Sequence, residues 1–162
     1  MKQSKTTPIR IREMNIYDIP EIFDLGEKVF STEFSNIYRT WDEYEVTNAF
    51  ITDGDFSLVA ELDEQIVGFA LGTVYEKGTA WNYGHVLWLG VDPDLHQKGV
   101  GSKLLKALKN KFIDAGARIM IVDTQSKNTK ALSFFHKHGF GDEKEHLYLS
   151  CRLKKKSKKA SS

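Results

Sequence analysis

The chain has 162 residues, enough for one hydrophobic core, and its 41% apolar and 28% charged composition is that of a globular domain rather than a disordered or fibrous one. No apolar run reaches membrane-spanning length, MKQSKTTP at the start has no apolar signal region, and a single cysteine, Cys151, excludes an internal disulfide and a cysteine-built metal site, so a cytoplasmic protein is expected. The net charge of +1 is uneven: residues 152–159 hold six of the 23 basic residues, and the remaining 17 against 22 acidic residues give the body a net −5, with no basic excess for nucleic acid to read.

In chain order, PIRIREM alternates as a first strand, and NIYDIPEIFDLGEKVF reads as a helix with Asn15 as its N-cap. STEFSNIYR is a polar, aromatic loop. TWDEYEVTNAF is a second helix in which Thr40 and Glu43 have capping-box spacing. FSLVAEL and IVGFALGTVYE, joined by the polar DEQ, predict a hairpin; KGTAWNYG turns the chain again into HVLWLGV, apolar enough to be covered on both faces and ended by Pro93. Residues 100–115 form the clearest helix, with an apolar stripe of Val100, Leu104, Leu105, Leu108 and Phe112, stopped by Gly116. RIMIVD is a fifth strand, NTKALSFFHKH a short helix closed by Gly139, and EHLYLSCRL a final strand. The order β-α-α-β-β-β-α-β-α-β predicts a mixed α/β domain over residues 8–153, with residues 1–7 flexible and 154–162 a solvated basic tail.

Between the fourth strand and the long helix lies DLHQKGVGSKLL, with glycines at 99 and 101. A strand-to-helix Gly-x-Gly is either a tight turn or a cradle in which the free N–H groups of a helix start, here residues 97–102, meet an anion. No Gly-Lys-Ser/Thr follows, so this is not a phosphate loop of the Walker kind. Leu104 stands where a dinucleotide-binding fingerprint places its third glycine.

VDPDLHQKGVGSKLL resembles motif A of the GNAT superfamily of acyl-CoA N-acyltransferases, Gln/Arg-x-x-Gly-x-Gly/Ala at the helix after the fourth strand. NTKALSFFHKHGF resembles its motif B, Asn-x-x-Ala-x-x-x-Tyr-x-x-x-Gly-Phe, and the two stand in the right order and separation. The resemblance implies a central mixed, mostly antiparallel sheet flanked by helices and splayed between the fourth and fifth strands, with acyl-CoA in the gap. Pantetheine would pair with backbone at Leu89, Gly90 and Val91. The pyrophosphate would sit on Gln97, Lys98, Gly99, Val100, Gly101 and Ser102, headed by His96, and Asn128 and Phe135 would flank the cofactor.

Two positions depart from the family pattern. His96 replaces the usual Gln or Arg, so the charge there depends on pH, and Phe135 replaces the tyrosine proposed to protonate the leaving thiolate. Tyr83, Tyr148 or water are the possible replacements for that acid.

The reaction implied is transfer of acetyl from acetyl-CoA to a primary amine, without a metal. An alkylamine of pKa roughly 10 must lose a proton before it attacks. His85, 11 residues before His96, resembles the catalytic glutamate position of histone acetyltransferases; Asp123, five before Asn128, resembles that of ribosomal-protein N-terminal acetyltransferases. Each is a candidate base, set against a packed histidine and a turn aspartate respectively. His136 and His138, two apart on a helix, point to different faces and do not suit a shared metal. Trp41, Tyr44 and the loop EFSNIYRT line an acceptor pocket or simply pack the early helices. A non-catalytic acyl-CoA-binding module of the same fold, and a nucleotide-phosphate binder of another fold, are the competing readings. The expected partners are acyl-CoA and an amine acceptor, in a monomer or homodimer with no membrane span.

Overall fold

A computed structural model describes residues 7–30, 40–76 and 81–155, apart from the side chain of Gln97. The loop over 31–39 with most of EFSNIYRT, the turn at 77–80, residues 1–6 and the tail from 156 lie outside the described residues.

Strand β1 (Arg10–Glu13) leads into a 3-10 turn and helix α1 (Ile19–Val29). Asn15 caps this entry: its Oδ1 accepts from the Tyr17 N–H, and Asp18 accepts from the Asn15 N–H in return. Pro20 sits in the first turn, where its missing N–H costs no helical bond. Helix α2 (Glu43–Asp53) corrects one expectation, since its cap is Asp42 rather than Thr40. Asp42 immediately precedes the first helical residue, in extended conformation, and its Oδ1 accepts from the Glu45 N–H at 3.0 Å.

Strands β2 (Ser57–Leu62) and β3 (Gln65–Glu76) form the expected hairpin, through a tighter turn than the three residues DEQ. Gln65 pairs with Leu62, and only Asp63 and Glu64 turn the chain, both at positive φ (51° and 65°). That backbone matches the right-handed twist of the strands. Strand β4 (Asn82–Val91), helix α3 (Val100–Asp114), strand β5 (Ala117–Val122) and helix α4 (Thr129–Lys137) complete the regular structure.

The sheet order is β1-β2-β3-β4-β5, antiparallel except for the parallel β4–β5 pair, as the fold class required. Two cores share it. On one face the entire α3 stripe is buried, joined by Leu58, Val86 and Phe135. On the other, α1 and α2 close over Trp41, Phe69 and Leu71. No helix among the described residues is long and apolar enough to cross a membrane.

A bulge in β4 links the two cores. Leu71 pairs with Trp88 but Gly72 with Val86, so Leu87 is an extra residue on β4. Val86 therefore packs under α3, while Trp88, two residues on, packs against the α1–α2 cluster.

The expected final strand is not formed. Residues 141–155 carry no regular secondary structure and are exposed throughout. A strand exists only against a neighbouring strand, and no described residue after Phe140 joins the sheet at β5.

Candidate active site

Strand β5 accompanies β4 only as far as the pair Val86–Val122. Beyond it β4 continues through Leu89, Gly90 and Val91, held by β3 on its other edge, while the chain after β5 turns off toward α4. The sheet thus opens between its two parallel strands, just past the β4 bulge.

His85 and Asp123 meet at the apex of this opening. His85 comes from β4, level with Ile121; Asp123 is the first residue after β5. The His85 Nε2 to Asp123 Oδ1 distance is 2.7 Å, and a carboxylate oxygen only accepts, so Nε2 carries a proton. The other ring nitrogen, Nδ1, is 3.2 Å from the Tyr75 hydroxyl of β3, which donates to it when the imidazole is neutral. The Asp123 side chain is 39% exposed and that of His85 16%, so the carboxylate is the member of the chain more open to a substrate. Sequence alone offers His85 and Asp123 as separate alternatives; the structure joins them, and adds Tyr75. Neither the pairing nor Tyr75 has a local sequence signal, because the three residues come from β3, β4 and the end of β5.

The glycine turn stands where a 3-10 segment (Pro93–Lys98) hands over to α3. Gly99 is left-handed, φ +73°, and a Cβ there would meet nothing within 4 Å. Gly101 has a different constraint: its Cβ would touch the Phe134 ring at 3.4 Å and Val91 at 3.5 Å. The first turn of α3 holds no acidic side chain and follows Lys98, so no carboxylate of that turn competes for its N–H groups.

Three side chains brace this turn. His96 donates Nε2–H to the Val91 carbonyl at 3.0 Å, fastening the loop to the end of β4. His138 of the α4 C-terminus lies 2.7 Å from the Phe134 carbonyl through Nδ1, which therefore carries hydrogen, and 2.8 Å from Ser102 Oγ through Nε2. Asp92 accepts from the Asp94 N–H and from Lys28 of α1, and these contacts, with the nearby His96, hold its carboxyl below the ordinary aspartate value.

Motif B forms α4 and the turn that follows it. Asn128 caps α4, its Oδ1 accepting from the Ala131 N–H at 3.2 Å. Phe135 is buried in the α3-side core, 5.3 Å from the Phe134 ring and 5.2 Å from that of Phe140. The α4 residues that reach the glycine turn are Phe134 and His138, which the sequence did not single out for that role. His136 instead pairs with Glu143, on a different face from His138. Trp41 is a packing residue, stacked on Phe69 with its Nε1–H on the Phe23 carbonyl, while Tyr44 is exposed. Trp88 donates its Nε1–H to Glu45 of α2 at 2.6 Å.

The sequence profile of the Acetyltransferase (GNAT) family matches residues 20–140. An uncharacterized N-acetyltransferase of Methanocaldococcus jannaschii is 28% identical over 137 residues, 83% of this chain and 79% of that one. An acetyltransferase of Pectobacterium atrosepticum is 27% identical over 107 residues, 65% of this chain and 72% of that one. Among solved structures, AAC(6')-Iy in complex with the bisubstrate analog CoA-S-monomethyl-acetylneamine superposes with a TM-score of 0.72 at 20% identity, covering 91% of this chain and all of that one. Ard1 from Thermoplasma volcanium superposes at 0.69 with 20% identity and 82% of each chain covered.

Proposed function

The chain belongs to the GNAT acetyltransferase family, and from that premise we propose that it transfers acetyl from acetyl-CoA to a primary amine by direct attack. The observation that carries this reading is the opening between β4 and β5, with the glycine turn of α3 beyond the end of β4 and the His85–Asp123 pair at its apex. The complex of AAC(6')-Iy with a CoA-linked analog supports acyl-CoA as donor.

In this reading the pyrophosphate takes the N–H groups at the start of α3, next to Gly99, Gly101 and Ser102, with Lys98 beside it. Pantetheine runs along β4 at Leu89, Gly90 and Val91; the Val91 carbonyl already accepts from His96, so its contribution there is limited. Asn128 reaches the cofactor only through the part of its side chain that does not cap α4. Phe135 acts through packing beneath the site.

The amine nitrogen attacks the thioester carbonyl, forming the C–N bond. The His85–Asp123 pair takes the ammonium proton, Asp123 directly or through one water and His85 by holding the carboxylate in place. Collapse of the tetrahedral intermediate breaks the C–S bond. With phenylalanine at 135, α4 supplies no tyrosine at that position, and water protonates the departing thiolate. The acidic residues on this side, Glu45 and Asp123, and the net −5 of the body favour a cationic acceptor.

The first test is a panel of small amines and peptides incubated with acetyl-CoA, scored by free thiol. Amine-dependent CoA release is expected. Acetyl-CoA binding without release across the panel establishes instead the non-catalytic module, the reading that Phe135 favours. For the base, His85→Ala and Asp123→Asn are each expected to lower kcat by about 100-fold or more with acetyl-CoA Kd retained. The double variant should be no slower than the slower single one, because the two act as a unit. Independent, multiplying losses would sink the paired base.

A further inference from the structure

The ring of His138 lies between two helix ends and takes no part in the acyl transfer itself. Its Nδ1 is 2.7 Å from the Phe134 carbonyl in the last turn of α4, and its Nε2 is 2.8 Å from Ser102 Oγ in the first turn of α3. A carbonyl oxygen only accepts, so Nδ1 carries hydrogen whether the ring is neutral or charged. The proton that comes and goes is therefore the one on Nε2. In the neutral imidazole Nε2 accepts, and the Ser102 hydroxyl must donate to it. In the imidazolium Nε2 donates to Oγ, and the hydroxyl hydrogen is released for another acceptor.

A serine hydroxyl has one hydrogen to give. While His138 takes it, Ser102 Oγ offers only lone pairs to an anion at the start of α3, where the backbone N–H groups would otherwise welcome one. The surroundings of the ring set the direction of the coupling. The C-terminal end of α4 favours a cation there. The charged side chains on the elements it joins are Lys98 and Lys103 on either side of the glycine turn and Lys137 on α4, which oppose one. Among the described residues no carboxylate pairs with His138: Glu143 is engaged by His136, and the neighbouring imidazole of His96 is bonded to the Val91 carbonyl. A phosphate at the start of α3 supplies the negative charge that the ring lacks.

We infer that His138 is a proton-coupled positioning residue for the cofactor: arrival of the pyrophosphate draws a proton from solvent onto Nε2, and Ser102 then turns its hydroxyl from the imidazole to a phosphate oxygen. The inference rests on acyl-CoA as the ligand of the glycine turn. Binding that takes up a proton weakens as pH rises through the imidazole range.

The test titrates CoA into the parent, His138→Gln, Ser102→Ala and His96→Gln by calorimetry, at about pH 6 and about pH 8, on either side of an ordinary imidazole. The 3'-phosphate of CoA titrates in the same range, alike for every chain, so differences from the parent are read. A glutamine amide donates to Ser102 at both pH values. His138→Gln is therefore expected to bind CoA without the parent's pH response, which weakens Kd about fivefold between the two pH values. In buffers of different ionisation enthalpy the parent should take up more protons than this variant. Ser102→Ala should weaken Kd several-fold at the lower pH and hardly at the higher one; a merely structural serine would weaken both alike. His96→Gln should keep the parent's uptake. If His138→Gln does not fold, by circular dichroism, Ser102→Ala carries the test alone. Equal uptake by the parent and His138→Gln, equal losses in Ser102→Ala at both pH values, or uptake that disappears with His96→Gln would each overturn the inference and leave the acyl-CoA reading intact. No binding of CoA to the parent at either pH would overturn both.

Discussion

The two glycines of the α3 turn look alike in sequence and have different physical reasons. Gly99 is required by its left-handed backbone, where a β-carbon costs about 1 kcal/mol or more, although the space around it is open. Gly101 has helical backbone, and an added methyl would make an ordinary contact with Phe134 and Val91. Gly99→Ala should therefore lower the unfolding free energy by about 1 kcal/mol, while Gly101→Ala should keep it or raise it slightly, since helix propensity favours alanine by up to about 1 kcal/mol and the new contact is an ordinary one. Urea titration of both variants checks this, and equal losses would mean that backbone conformation is not what separates them. The sequence marks both glycines and the turn they build. It does not show that Ser102 is held by His138 or that Asp123 is held by His85, because these contacts span 36 and 38 residues and depend on how whole elements pack.

At the scale of elements, helix α3 was legible because its stripe is long and regular. All five stripe residues are buried, and the lysines lie mostly off it. The contrast between Leu108 (0% exposed) and Ile113 (56% exposed) on one helix gives a direct test. Leu108→Ala opens a cavity beneath the sheet and should cost about 3 kcal/mol. Ile113→Ala should stay within about 0.5 kcal/mol of the parent. A large loss at Ile113, read by the same titration, would place that side chain in an interface the single chain does not reveal. Other element-level features were hidden for a common reason: they are properties of pairs. The Leu87 bulge is a register shift between β3 and β4, and no residue type in HVLWLGV announces it. The last strand is legible as a pattern in EHLYLSCRL and absent as structure, because alternation states what a segment requires of a neighbour without providing one.

At the scale of the molecule, the entry to the α1–α2 side is locked to the sheet by one ionic cluster. Arg12 of β1 grips Asp18 through two hydrogen bonds of 2.7 and 2.9 Å and also pairs with Glu61 of β2. Burial by itself pushes the Asp18 carboxyl up, but the hydrogen bonds from Arg12 and the Asn15 N–H, with the Arg12 charge, prevail and hold it below the ordinary aspartate value. The bond to Asp18 likewise drives the Arg12 guanidinium further up, so it stays charged at any working pH. The sign of the linkage follows. As pH falls below about 4, an ordinary aspartate in the unfolded chain binds a proton before Asp18 does in the folded one. The Asp18 contribution is therefore complete above that pH and is lost as pH falls through the depressed folded value. Asp18→Ala leaves the Arg12 cation in a half-buried place without its main partner and should cost about 3 kcal/mol at neutral pH. The gap between parent and variant should narrow as pH drops below about 4, while other carboxylates weaken both chains together. Urea midpoints of the two from pH 7 downward decide it: a gap that stays constant into acid would mean that Asp18 stabilises by packing and capping, and that the charge contributes nothing.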